Sequence, residues 1–285
     1  MSSSKSGKFW IACVGSVAML GGLGAAAVST GSAGAAPEQS GQSSQRPTAT
    51  PGEQLTAIAS KIGPAVPVPA GKVSYLDERG RHMATDENGK TKPFNQRSEV
   101  WAPSNQKKVW ELRQTGTSGQ VERNFGRCGD FFAAPKDQCK YPGDWQSPKP
   151  EWLAGLPRDG QAMLERLKKD RADNDRNDIQ LMVEVTDMLG NPAIPADVRA
   201  AVFKAIAKIP GLRAVPAVDL LGRKAMAFGV ADDSEWHEVL VDPATGNYLG
   251  ERQVARKPFA GVKPGETVSQ NALEELLVNK VGQRP

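Results

Sequence analysis

Apolar positions recur along this chain with two different periods, and the changeovers divide it into blocks. Leu55, Ile58, Ala59 and Ile62 stand at i, i+3, i+4 and i+7, the spacing of one helix face, and Gly63-Pro64 closes the run. From about 72 to 125 the pattern is that of strands, over 72–77, 97–101 and 107–113, with Gly- and Asn-containing turns between them. This block predicts an antiparallel meander. The helical period then returns three times: over 159–171 with Met163, Leu164 and Leu167, over 178–189 with Ile179, Met182, Val183, Thr186 and Leu189, and before Pro210-Gly211 with Val198, Ala201, Val202, Ala205, Ile206 and Ile209. In the last of these, Arg199, Lys204 and Lys208 occupy the opposite face, so all three read as amphipathic helices lying on a sheet.

Strands resume with Leu212, Ala214, Pro216, Val218 and Leu220, then Met226, Phe228 and Val230, then His237, Val239 and Val241, then 247–251 onward. Leu221-Gly222-Arg223, Ala231-Asp-Asp-Ser234 and Asp242-Pro-Ala-Thr-Gly246 supply turn geometry between them, which predicts a four-stranded antiparallel meander. Ala272-Leu-Glu-Glu-Leu-Leu-Val278 reads as a final amphipathic helix. The fold class expected is α+β: a curved, half-barrel-like antiparallel sheet with helices packed on one face.

Ahead of these blocks, residues 9 to 37 carry no charge, and Lys5 and Lys8 lie on the N-terminal side. A basic start, an apolar span over 9–30 and small residues at Ala33-Gly34-Ala35 are the parts of a secretory signal, cleaved after Ala35. The same span is 22 residues long, and roughly 20 suffice to cross a membrane as a helix, so an uncleaved anchor over 9–30 is the alternative. The division expected is therefore a signal or transmembrane segment over 1–35, a flexible linker over 36–52 without apolar period, and one extracytoplasmic domain over 53–285. Cys13 lies at the start of the apolar span, without the small residues that precede a lipidated cysteine, and reads as a membrane-facing side chain.

Charge narrows the partners. The formal net charge is +4, and removing Lys5 and Lys8 leaves 34 basic against 32 acidic residues, with no basic run or aromatic-interleaved basic stripe; nucleic acid is not expected. The two cysteines beyond the leader, Cys128 and Cys139, form an even pair in an oxidising compartment and are expected as a disulfide stapling a Gly/Pro-containing excursion.

Candidate chemistry is sparse. Asp173, Asp175, Asn177 and Glu184 occupy positions 1, 3, 5 and 12 of a calcium loop, but position 6, where glycine makes the sharp turn, is Asp178, and capping of the following helix explains the cluster more simply. His82 and His237 are the only histidines and are far apart in sequence; His237 reads as a strand-face residue. Serine nucleophile elbows, H-E-x-x-H and phosphate-cradling glycine loops are absent, so neither an enzyme nor a cofactor is expected. Trp101, Trp110 and Trp236 are candidates for lining an apolar groove, with half-buried packing as the plainer reading.

An ordered series of blocks carries a resemblance. Glu99-Val100-Trp101, Leu156-Pro157-Arg158-Asp159, Val198-Arg199-Ala200-Ala201-Val202 through Ile209-Pro210-Gly211, Asp219 with Gly222-Arg223, and Asp242–Gly246 with Leu249-Gly250-Glu251-Arg252 together resemble an uncharacterised family of envelope proteins of high-GC Gram-positive (actinobacterial) bacteria. Its members are commonly encoded beside extracytoplasmic-function sigma factors. The resemblance covers Leu55 to Arg252 and implies an anchored or secreted ectodomain, distantly similar to half-barrel lipoprotein carriers and sensors. It brings no catalytic residue, and the eight residues before the apolar span are too few to fold around a sigma factor.

These readings converge on a non-enzymatic extracytoplasmic domain that binds an apolar ligand or an envelope protein in a sheet groove. The alternative is a purely structural interaction module with a filled core.

Overall fold

Among the described residues nine antiparallel strands form one sheet in the order β4-β3-β2-β1-β9-β8-β7-β6-β5, so two four-stranded meanders meet on either side of the last strand, β9. The computed structural model describes residues 49–64, 67–86, 90–171, 178–192 and 194–285. The apolar span 9–30, the cleavage position after Ala35 and most of the 36–52 stretch lie outside the described residues. Among the described residues no helix is long and apolar enough to cross a membrane.

The first meander is β1 (Val73–Thr85), β2 (Thr91–Pro103), β3 (Val109–Thr115) and β4 (Val121–Arg127). The second is β5 (Arg213–Val218), β6 (Lys224–Ala231), β7 (Glu235–Val241) and β8 (Tyr248–Ala255). The helices are α1 (Pro51–Ala59), α2 (Pro150–Ala154), α3 (Gly160–Asp170), α4 (Asp178–Leu189) and α5 (Ala196–Ile206). Helix α1 begins inside the stretch read as tether, because Thr50 and Glu53 make a reciprocal capping box around Pro51 at the first helical position.

The segment Ala272–Val278 is not a helix but the second half of β9 (Thr267–Val278), which pairs with β1 on one side and β8 on the other. Its leucines and glutamates favour a helix only weakly, by tenths of a kcal/mol per residue. Without β9, the inner edges of both meanders would present rows of unpaired backbone groups, and that cost overrides local propensity.

The two faces of the sheet have different tasks. On one, α4 lies against β6, β7 and β8 while α5 packs on α1 and α3, enclosing Phe228, Val230, Val239 and Val241 with Met182, Val202, Phe203 and Ile206 in the main core. Beside this helical layer, the excursion from Cys128 to Lys149 covers Leu76, Val100, Trp110 and Leu112 with Phe131. The disulfide joins Cys128 and Cys139, and the buried Lys149 ammonium is held by Asp130 at 2.6 Å and by the Cys128 carbonyl, which ties both ends of the excursion together.

On the other face the sheet curls over itself. Arg223, in the β5–β6 turn, donates to the carbonyls of Leu249 (3.3 Å) and Leu273 (2.8 Å), and Gln270 of β9 donates to the carbonyl of Val218 at the end of β5. The concave side so formed is filled by Ala225, Ala227, Leu240 and Leu249, all buried. Small side chains allow the tight curl. Gly250 does as well, with φ +144° and only 2.2 Å between where a Cβ would stand and the Asn271 carbonyl oxygen.

Candidate functional site

The concavity over β5–β9 is filled, and a groove lies elsewhere, where the ends of β1, β2, β3, β4 and β9 come together. Its volume is about 530 Å³, with Val73, Pro103, Val109 and Val281 among its apolar lining. Lys72, Lys108, Arg127 and Lys280 also line it, and no carboxylate does. Lys72 Nζ donates to Asn279 Oδ1 at 2.6 Å and Arg127 to the Lys107 carbonyl at 3.0 Å, whereas the Lys108 and Lys280 side chains have no ion-pair partner among the described residues. Apolar surface beside uncompensated positive charge fits a ligand that is apolar with an anionic end.

Antiparallel register builds this groove. Val73 stands opposite Pro103 on one side and Val278 on the other, and Val109 stands opposite Arg127. Gly71, at φ +80°, turns the chain into β1, and Ser104 N–H returns to the Lys72 carbonyl. The chain after β9 then folds back across β1 and β2: Trp101 Nε1 donates to the Gln283 carbonyl at 2.5 Å, and Arg284 makes a forked pair with Glu99 at 2.7 and 2.5 Å. This tail brings Val281 into the groove wall.

Beneath the tail, buried acids alternate with arginines on neighbouring strands. Arg97 holds Asp77 at 2.7 and 2.9 Å, Tyr75 donates to Glu99 at 2.7 Å, and Arg113 and Arg123 both reach Glu111. Burial pushes the Glu99 carboxyl up, but hydrogen bonds from Arg284 and Tyr75 and the charge of Arg97 hold it below the usual carboxylate range. Glu111 is held down in the same way by Arg113 and Arg123 against the effect of burial. The strand faces of β1–β4 that carry these acids also carry Arg79 and Arg81, so positive charge is in excess there.

A second polar cluster lies under α4. Nε2 of the buried His237 is 3.0 Å from Glu251 Oε2, Asn271 donates to Glu251 at 3.2 Å and to Glu78 at 3.0 Å, and Thr186 of α4 lies 3.5 Å from the imidazole. Burial pushes the imidazole down, and the Glu251 hydrogen bond and charge more than reverse that; Glu251 is correspondingly held low. Burial, reinforced by the Glu251 charge, raises Asp187 to about 6. The adjoining cavity, lined by Glu78, Asp187, Asn271 and Trp110 among others, has a volume of about 80 Å³. Small-ligand pockets are roughly 300 to 1,000 Å³, so this seam accommodates no substrate of that size.

The candidates from sequence are scattered. Cys128 and Cys139 are bonded. Trp101 is fully buried beneath the tail, stacked near Tyr75 and Arg113. Trp110 packs on the opposite face against Phe131, and Trp236 lies on β7 under the Arg213 guanidinium, so the three do not line one groove. Asp173, Asp175 and Asn177 lie outside the described residues, and Glu184 pairs with Arg171 at 2.9 Å. Among the described residues no group of three or more His, Cys, Asp or Glu is placed to hold a metal ion. The groove cations went unnoticed because they are spread from Lys72 to Lys280 and only strand register collects them.

Fold and groove thus define a single curled antiparallel sheet, covered by helices on one face, with a basic apolar groove at its strand ends. No protein-family model matches the chain, and no curated protein matches it. Among solved structures, the MucA/MucB complex of Pseudomonas aeruginosa is similar at 13% identity and TM-score 0.31, over 82% of this chain and 58% of the other. A structure of MucB gives 15% identity and TM-score 0.29, over 81% and 58%. A DUF1329 family protein from Desulfovibrio piger gives 8% identity and TM-score 0.20, over 82% and 93%. At these values the shared shape carries no function across.

Proposed function

We propose that this chain is a non-enzymatic extracytoplasmic binding domain whose groove takes a ligand with an apolar body and an anionic end. The single observation behind this reading is the groove itself: about 530 Å³, apolar in much of its lining, with four cations and no acid. The Cys128–Cys139 bond supports an oxidising, extracytoplasmic setting. The non-enzymatic reading is supported by the polar seam under α4, where Asp187 lines a cavity of only about 80 Å³. The apolar residues favour a chain or ring, and the four cations select an anionic end over a zwitterionic or neutral one.

The test is calorimetric titration with three amphiphiles of the same twelve-carbon chain, below their micelle concentrations. The reading expects dodecyl phosphate to bind at least tenfold more tightly than dodecylphosphocholine or dodecyl maltoside. Equal affinity for the three would refute charge selection, and no binding of any would refute the groove as a ligand site.

A further inference from the structure

The two outer strands of the sheet are treated differently, and the difference exposes a second place where a partner can attach. At one edge, β5 carries Pro216 in its interior, which removes a donor, and its last carbonyl, on Val218, is already taken by Gln270. Helix α1 lies against the same strand. That edge is guarded. At the other edge, among the described residues β4 is closed only at its C-terminal end, where Arg127 bridges to Asp130 in the disulfide excursion.

Register tells which β4 backbone groups face outward. Gly116 N–H donates to the Gln120 carbonyl, so within the β3–β4 ladder the hydrogen-bonded pairs continue through Gln114–Glu122 and Leu112–Asn124. The N–H and C=O groups of Val121, Arg123 and Phe125 therefore point away from β3. Their side chains share one sheet face, and two of them are exposed apolar groups, Val121 at 47% and Phe125 at 51%. Arg123 lies between them, its guanidinium 5.3 Å over the Phe125 ring. Exposed apolar side chains on an unpaired edge are what a sheet normally avoids presenting to water.

We propose that the Val121–Phe125 edge of β4 is a strand-addition site for an extended, acidic segment of a partner protein. Backbone pairing supplies the attachment, Val121 and Phe125 take β-branched or aromatic side chains, and Arg123, half-exposed beside Glu111, selects a carboxylate at an intervening position. A second copy of this chain is the poorer occupant, since pairing two β4 edges gathers Arg123 and Arg127 of both chains on neighbouring strands. This site is separate from the ligand groove and does not depend on it.

The experiment uses the full chain and a capped nine-residue peptide alternating valine or threonine with glutamate, alongside its lysine-for-glutamate counterpart. Amide hydrogen exchange is read at Val121, Arg123 and Phe125. The acidic peptide is expected to slow exchange at these three amides at least tenfold, and the lysine peptide to leave them unchanged. Phe125→Pro removes an outward donor while sparing the ladder to β3, and is expected to weaken peptide binding at least tenfold; Phe125→Val, which keeps the donor, stays within about threefold. The proposal is overturned by no protection with the acidic peptide, by equal protection with both peptides, or by protection on β5 instead. Slowed exchange in the free chain together with a dimer mass in sedimentation would also overturn it, assigning the edge to a second copy.

Discussion

Replacing Glu99 by glutamine perturbs the ion-pair layer beneath the C-terminal tail without changing its shape. The carboxylate is fully buried and accepts from Tyr75 at 2.7 Å and from Arg284 at 2.7 and 2.5 Å, with Arg97 at 3.4 Å. A charge-assisted hydrogen bond contributes about 1.5 to 3 kcal/mol, and breaking a fully buried pair costs roughly 3 to 5. Here the Arg284 and Arg97 side chains are 50% and 33% exposed and can turn toward water, which brings the expected loss at neutral pH down to about 2 kcal/mol. In a domain of this size that lowers the melting temperature by about 4 to 8 °C. The pH dependence supplies a sharper check. Because the folded carboxyl sits below its ordinary 4.5, its contribution is complete above that pH and fades as pH falls toward the folded value. Urea unfolding of wild type and Glu99→Gln at pH 7, 5 and 3 should show a gap of about 2 kcal/mol that closes in acid. A gap below about 0.5 kcal/mol at pH 7, or one unchanged at pH 3, would refute the assignment of Glu99 as a charged keystone of this layer.

Two further substitutions test the packing and the seam under α4. Asp187 is raised from its ordinary 3.8 to about 6, so its folded carboxylate costs stability above pH 6 and the cost vanishes as pH falls to 3.8. Asp187→Asn is therefore expected to stabilise by about 2 kcal/mol at pH 7.5, allowing for partial exposure, and to be neutral at pH 4, as measured by denaturant unfolding. Gly250→Ala places a Cβ 2.2 Å from the Asn271 carbonyl oxygen at φ +144°, separating β8 from β9; thermal unfolding should register a loss of about 3 kcal/mol or more.

The second meander was legible in the chain, because β5 to β8 are short and separated by strong turn residues such as Asp242-Pro-Ala-Thr-Gly246, whereas of the first meander parts of β1, β2 and β3 were read and β4 was not. The stripes of α3, α4 and α5 were legible for the same reason, and their leucines, valines and isoleucines do form the main core. What joins the meanders was not. Ala272-Leu-Glu-Glu-Leu-Leu-Val278 carries local signals of a helix, and only the presence of two open inner edges, a property of the assembled sheet, makes it a strand. The long polar halves of β1 and β2 were likewise missed, since Arg79-Gly-Arg81 reads as a loop until Arg97 and Asn95 are found opposite. The groove was the least legible part. Tryptophans drew attention as groove formers, yet Trp101, Trp110 and Trp236 serve packing in three separate places. The cations that give the groove its character are ordinary surface lysines and an arginine until register gathers them.

The groove is tested most directly by reversing its charge without touching its apolar lining. Lys108 and Lys280 have no ion-pair partner among the described residues, so Lys108→Glu with Lys280→Glu should leave the melting temperature within a few degrees. Titrated calorimetrically with dodecyl phosphate, the double variant is predicted to bind at least tenfold more weakly than wild type, with the loss shrinking at high salt. Unchanged affinity in a variant that remains folded would contradict the groove as the place where this domain takes an anionic ligand.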